Sequence, residues 1–379
     1  MKILIFNWRD IKNPEAGGAE VFTHENAKRW VKNGNEVTLF TSEFKGCDNK
    51  EVIDGVRIIR AGTKYSVYRK AKGYYKRYFS KEGFDVVIDE INTRPFLTPK
   101  FVNKGEKIIA LIHQLAREYW WYETPFPIDF MGYYFLENKW LRNYGDIPTV
   151  TVSESTKRDL LDLGFKNVMV VPEGLNFKPP DNANKKEENP VVIYVGRLKR
   201  AKRPDHAIKA FEMVKKSIDC QLILAGGTAA DDPESEQVLG EVTKRAEGDS
   251  DIHVLLVPPE RDIEINALQR AATVIIQKSL KEGFGLTISE ALWKGKPVVA
   301  SAVGGIPLQI KNKFTGLLCY SVEGAAYDLK QLLSNPEYAH WLGHNGTEHV
   351  KQNFLITSQL KDYLLVFLSL GRASDVIYL

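Results

Sequence analysis

At 379 residues the chain exceeds what one ordinary hydrophobic core accommodates, and the length points to two domains. A hydrophobic fraction of 44% beside 26% charged residues is that of a soluble globular protein, and a formal net charge of +4 is too small to imply nucleic-acid binding. Three widely spaced cysteines, Cys47, Cys220 and Cys319, suggest neither a disulfide framework nor a zinc site and fit a reducing cytosol.

Short β-branched runs alternate with helical stretches, the pattern of parallel sheets joined by crossover helices. The first half predicts strands at 2–7, 36–41, 57–60, 85–88, 107–112, 148–152 and 168–171, with helices at 18–33 and 153–163. The opening apolar run is too short for a signal peptide and reads as a buried strand, and no run reaches the roughly 18 residues that span a bilayer. Residues 181–190 are polar and read as a linker. The pattern then restarts, with strands at 191–195, 221–225, 253–257, 273–276 and 297–300. Helices are predicted at 204–217, 233–247, 260–271, from about 285 and from 324. A last helix covers 354–370, and 371–379 carries no assignment. Two Rossmann-like halves of this kind bind ligands at the carboxyl edges of their strands, here across a cleft between facing edges.

The most informative stretch is Lys281-Glu282-Gly283-Phe284-Gly285-Leu286-Thr287-Ile288-Ser289-Glu290. A glycine-rich turn opens a helix whose free N–H groups suit an anion, with Glu282 at its mouth and Glu290 two turns along. Diphosphate, ribose and hexose, the parts of a nucleotide sugar, would fit such a set. An ordinary helix start with acidic residues near its positive end would look the same. Gly17-Gly18 follows the first strand and precedes a helix, so backbone there can approach a phosphate; a plain strand–helix turn is the alternative. Arg197 and Lys202 flank the end of the first strand of the second half, where a planar fork and a compact ammonium could clamp a diphosphate. Lys199, Arg200 and Arg203 read as surface charge.

The Glu-x7-Glu stretch, Gly196-Arg197-Leu198 with Lys202, and Gly17-Gly18 together resemble the retaining GT-B glycosyltransferases of family 4, over about 350 residues. Arg203 stands where that family usually has glycine. The resemblance implies an acceptor-side domain over 1–180, the 181–190 linker and a nucleotide-sugar domain over 191–353. It also implies a segment, 354–379, whose helix crosses back to the first domain. It implies hexosyl transfer from UDP- or ADP-glucose to a sugar or other hydroxyl acceptor. Glu282 would hold hexose hydroxyls, Glu290 the ribose, and the backbone of Gly283, Phe284, Gly285, Leu286 and Thr287 the phosphate or sugar. His113, after the 107–112 strand, would contact the transferred sugar, although lone histidines at strand ends are usually structural. Gly226, Gly227 and Val257 lie where the nucleotide base packs, and Val303-Gly304-Gly305 reads as packing. Ser153 reads as a helix cap. No Asp-x-Asp motif stands at a suitable strand end, so no metal or other cofactor is expected.

From Gln221 onward the sequence resembles the trehalose-forming transferases, whereas before about residue 200 it resembles other family 4 hexosyltransferases. Natural recombination or an engineered exchange, with a seam between 180 and 226, would each explain this. A non-catalytic nucleotide-sugar-binding protein is the alternative function. Two stretches point outward: 64–81 carries seven Lys/Arg, six aromatics and no acid, and 119–127 is aromatic. The first can lie on an anionic membrane or simply face water and brace a core. The second can stack on a sugar or lipid acceptor, or pack against the neighbouring domain. A cytoplasmic protein, with peripheral membrane contact, is the expected setting.

Overall fold

The apolar runs assemble into two sheets, one in each of two compact units. The protein is seen in a computed structural model that describes residues 1–92, 94–117, 120–121, 126–176, 189–228, 234–258 and 262–370. Most of the predicted linker, part of the 119–127 loop and the tail from 371 lie outside the described residues.

Unit 1 gathers Met1–Pro172 and the chain from Leu360 onward. Its strands are β1 (Lys2–Phe6), β2 (Glu36–Thr41), β3 (Lys50–Ile53), β4 (Val56–Arg60), β5 (Val86–Glu90), β6 (Lys107–Ile112), β7 (Thr149–Thr151) and β8 (Val168–Val170). They lie in the order β3-β4-β2-β1-β5-β6-β7-β8. All pairs are parallel except β3 with β4. The unpredicted β3 is an edge strand joined to β4 by Asp54-Gly55, both at positive φ (50° and 83°), a two-residue hairpin. Parallel strands covered on both faces are apolar throughout, and β1 shows why. Ile3 and Ile5 meet Phe22 and Trp30 of the Gly18–Lys32 helix on one face. Leu4 and Phe6 meet Phe40, Phe79 and the Val67–Arg77 helix on the other. The first face is completed by Tyr363 and Val366 of the Ile356–Leu370 helix, with Tyr363 lying 5.2 Å from Trp30, ring to ring.

Unit 2 spans Glu173–Gln359. Its boundary precedes the predicted linker because Leu175 bridges to Leu355 and Gly174 N donates to Gln359 Oε1 at 2.5 Å. Its strands are β9 (Val191–Val195), β10 (Gln221–Gly226), β11 (Ile252–Leu256), β12 (Val274–Gln277), β13 (Val298–Ser301) and β14 (Leu317–Cys319). They are all parallel, in the order β11-β10-β9-β12-β13-β14. The three-residue β14 is too short to leave a readable period.

Both sheets are doubly wound. In unit 1 the chain fills one side from β1 to β4, then returns to β5 and fills the other. Unit 2 does the same from β9 and again from β12. The loops leaving β1 and β5, and those leaving β9 and β12, therefore diverge. Open α/β sheets bind ligands at such points of divergence.

Candidate functional site

In unit 2 the loops after β9 and β12 supply a paired cation and anion. Lys202 closes a short turn over Arg200–Lys202, and its Nζ donates to both oxygens of Glu282 at 2.6 Å each. Glu282 Oε1 also accepts from Ser279 Oγ at 2.8 Å and Gln277 Nε2 at 3.4 Å. The Glu282 side chain is 6% exposed and that of Lys202 25%, so the pair is reached from the lysine side. Next to Lys202, Arg203 has φ 50° and ψ 54°, the left-handed conformation that favours glycine. That accounts for the glycine that the resemblance leads one to expect there. Arg203 holds the conformation with its guanidinium on Asp205, at 2.8 and 2.7 Å. Arg200 is a surface charge paired with Glu234 and Glu241.

Beyond Glu282 the chain turns through Gly285, left-handed at φ 94°, into the Leu286–Trp293 helix. The first amides of a helix have no partner within it. The turn is braced from behind. A Cβ on Gly304 would stand 1.8 Å from the Glu282 carbonyl oxygen, and one on Gly305 2.4 Å from that of Gly283. Gln309 Nε2 donates to the Phe284 carbonyl at 2.5 Å, and Ser289 Oγ donates to Gln309 Oε1 at 2.5 Å. Phe284 turns its ring inward, 5.6 Å from Phe354, leaving only its backbone for a ligand. Glu290, one face further along, accepts from Gln269 Nε2 at 3.1 Å, and Lys294 Nζ donates to Gln269 Oε1 at 2.5 Å. Burial pushes the Lys294 ammonium down to about 8, with Glu290 pulling it up and Arg270 adding to the fall.

The other predicted unit 2 residues sit on the same carboxyl edge. Arg197 follows β9, with its carbonyl accepting from Tyr194 Oη at 3.1 Å. Gly226 is a glycine for packing, since a Cβ there would lie 1.9 Å from the Gly196 carbonyl oxygen. Gly227 O accepts from Leu198 N at 3.0 Å, and Val257 N donates to Gly226 O at 3.1 Å, so the loops after β9, β10 and β11 are laced together. Beside Val257 lies a recess of about 580 Å³ whose walls include Leu256, Leu268 and Ala271.

Unit 1 has its own cluster where β1 and β5 part. Gly17 caps the Gly18–Lys32 helix, and its N–H donates to Glu20 Oε2 at 2.7 Å. Glu20 thus takes up the Gly17 amide. Glu20 Oε1 lies 3.2 Å from Arg9 Nε, and burial raises its pKa, with Arg9 lowering it and Glu90 raising it further. Gly18 is exposed, and a Cβ there would meet nothing within 4 Å. Thr23 Oγ1 donates to Glu90 Oε2 at 2.5 Å, and His113 Nε2 is 3.7 Å from Glu90 Oε1. His113 is buried edge-on to Phe22, 4.8 Å away. The structure thus brings His113 to Glu90, Lys202 to Glu282 and Gln269 to Glu290. Ser153 is a cap, its Oγ accepting from Thr156 N at 3.3 Å.

Sequence reasoning missed Arg9, Glu20 and Glu90 in unit 1, and Gln277, Ser279, Gln269 and Gln309 in unit 2. Gln277 was findable: it closes the apolar strand Val274-Ile275-Ile276 and is buried, and a polar residue there needs a partner. Among the described residues no group of three or more His, Cys, Asp or Glu could hold a metal ion.

Two Rossmann-like units of this winding, with polar side chains at their switch points, have the GT-B fold. Two family models divide the chain: Glycosyltransferase Family 4 matches residues 16–178, and Glycosyl transferases group 1 matches residues 178–349. Each half of the chain thus matches a glycosyltransferase domain, family 4 first and group 1 second, on a GT-B fold. It is 44% identical over 185 residues to the trehalose synthase of Rubrobacter xylanophilus, covering 48% of this chain and 44% of that one. With the D-inositol 3-phosphate glycosyltransferase of Corynebacterium aurimucosum it shares 31% identity over 229 residues, 55% of this chain and 53% of that one. The chain spans about half the length of these curated relatives. The sucrose-phosphate synthase of Thermosynechococcus elongatus superposes with a TM-score of 0.77 at 22% identity, over 98% of this chain and 100% of the other. Anabaena HepE in complex with UDP-glucose does so with a TM-score of 0.72 at 16% identity, over 97% and 100%.

Proposed function

We propose that the protein is a retaining, metal-independent hexosyltransferase that moves glucose, or a close analogue, from UDP- or ADP-glucose to a sugar or other hydroxyl acceptor. The observation that carries this reading is the Lys202–Glu282 pair, set at the β9/β12 switch point beside the left-handed Gly285 helix start. The trehalose synthase likeness supports glucose as the transferred sugar. In the reaction the bond from the anomeric carbon to the diphosphate oxygen breaks. A bond to the acceptor oxygen forms on the same face, and the acceptor proton passes to the departing phosphate. Arg197 and Lys202 would neutralise that leaving group, with the backbone amides of Gly283 to Thr287 assisting. Glu282 would bind the hexose hydroxyls, exchanging part of its hold on Lys202 for them, and Glu290 the ribose. Gly226, Gly227 and Val257 would border the base. In unit 1, Gly17-Gly18 would border the phosphates and His113 the transferred sugar.

Release of nucleoside diphosphate from a panel of nucleotide sugars, with and without acceptors, tests the reading. Acceptor-dependent release with an α-linked product from an α-linked donor is expected. An inverted product would refute retention, and binding without release would leave a non-catalytic nucleotide-sugar protein. Replacing residues 1–180 by the matching part of a trehalose synthase should change acceptor choice but not donor choice.

A further inference from the structure

Unit 1 carries an apolar face and a basic face that nothing in the proposed reaction uses. The chain at 128–141 is helical, through Ile128–Met131, Gly132–Leu136 and Glu137–Leu141. One side is anchored: a Cβ on Gly132 would lie 2.2 Å from the ring of buried Trp120, whose Nε1 donates to buried Glu137 at 3.3 Å. The opposite side is apolar and open. Phe126 is 81% exposed, Phe135 60%, Ile128 and Tyr134 51% each. Rings beside them touch one another, with Phe130 4.8 Å from Tyr134 and 6.1 Å from Phe135. A contiguous patch of this kind on a soluble surface marks an interaction site.

The Val67–Arg77 helix buries Val67, Ala71 and Tyr75 and turns Arg69, Lys72 and Lys76 outward on the opposite face, at spacings of three and four residues. Among the described residues none of these three forms an ion pair. Arg94 joins the two helices, its guanidinium 4.7 Å from the Tyr68 ring and 5.8 Å from the Trp140 ring. The two helices are therefore neighbours on one unit, each with its exposed face. Among the described residues no helix is long and apolar enough to cross a membrane.

We propose that this joint face docks peripherally on an anionic lipid surface, with the Phe126–Phe135 aromatics in the headgroup layer and Arg69, Lys72 and Lys76 over the lipid phosphates. Each element matches one half of that surface: amphipathic aromatics suit the polar–apolar boundary, and unpaired cations suit its negative potential. A second copy of the chain is a poorer occupant, because two like-charged helices would be brought together.

Co-sedimentation of the full chain with vesicles of phosphatidylcholine, alone or with phosphatidylglycerol, tests this. Binding to the anionic vesicles, weakened by salt, is expected. Arg69→Gln/Lys72→Gln/Lys76→Gln should reduce the partition coefficient about fivefold per cation, ~100-fold in all. Phe130→Ser/Phe135→Ser should reduce it at least about tenfold. Both variants alter exposed side chains, and unchanged melting temperatures confirm that they fold. Equal binding to neutral and anionic vesicles, or a triple variant that binds like the parent, would overturn the proposal. So would absence of vesicle binding, and a dimer in solution that the aromatic variant dissolves would then make a second copy the occupant.

Discussion

Replacing Glu282 with Gln separates a binding carboxylate from a merely structural one. The side chain accepts from Lys202, Ser279 and Gln277, so the substitution removes one charge-assisted contact and leaves an amide among donors. Losing a hydrogen bond to a charged group costs about 1.5–3 kcal/mol, and the partial exposure of Lys202 puts this case near ~1–2 kcal/mol. At roughly 2–4 °C per kcal/mol for a unit of this size, melting should fall by about 2–8 °C. A protein with about 5–15 kcal/mol of stability stays almost wholly folded after that loss. A role in the transition state is a different quantity: losing one such contact typically costs about 10²–10³ in kcat. Turnover should therefore drop by about two orders of magnitude or more, with only a modest rise in the dissociation constant for the nucleoside diphosphate. The assay is nucleoside diphosphate release on the best donor–acceptor pair, beside thermal unfolding of the same samples. Parental kcat with a lowered melting temperature would refute the reasoning and leave Glu282 a brace for Lys202.

Gly304→Ala should destabilise unit 2 by about 2 kcal/mol or more in urea unfolding, because φ there is 57° and the Cβ would strike the Glu282 carbonyl. Gly18→Ala should leave stability unchanged or slightly raised, since its Cβ meets open space, while raising KM for the donor if phosphate approaches that backbone. Arg9→Met should cost about 3–5 kcal/mol by stranding Glu20, whereas Glu20→Gln should cost less, because burial already disfavours the Glu20 charge. Lys294 is about 8 folded and 10.5 unfolded. Between those values the unfolded chain holds the proton and the folded one does not, so its contribution to stability grows as pH rises, by at most about 1.4 kcal/mol per pH unit. The melting temperature of Lys294→Met relative to the parent should accordingly fall between pH 8 and 10. Chelator should leave transfer unchanged.

The winding of both units was legible because buried parallel strands are apolar without alternation, as in Val191–Val195, and crossover helices carry their own period. The β3 strand escaped although Asp54-Gly55 announces a hairpin, because Lys50 to Ile53 is short and half exposed. At the site, Lys202 and Glu282 were readable as chemistry but not as a pair: 80 residues separate them, and only the adjacency of β9 and β12 brings them together. The glutamines were illegible for a related reason. Gln269 and Gln309 are ordinary polar helix residues until the fold sets one on Glu290 and the other on the Phe284 carbonyl. Glu20 could have been read as a capping residue three positions after Gly17, but its burial against Arg9 depends on how the loop after β1 folds back.

Among the described residues, the side-chain hydrogen bonds that hold Glu282 in place come from residues 202 to 279, and the packing behind its turn from residues 304 to 309. Lys202 comes from one side, Gln277 and Ser279 from beneath, and Gly304, Gly305 and Gln309 from behind. The pair is thus shaped by a single uninterrupted length of chain. Such a length can be inherited whole by a gene that changes partners upstream, with the local geometry of the acid and the base unaltered.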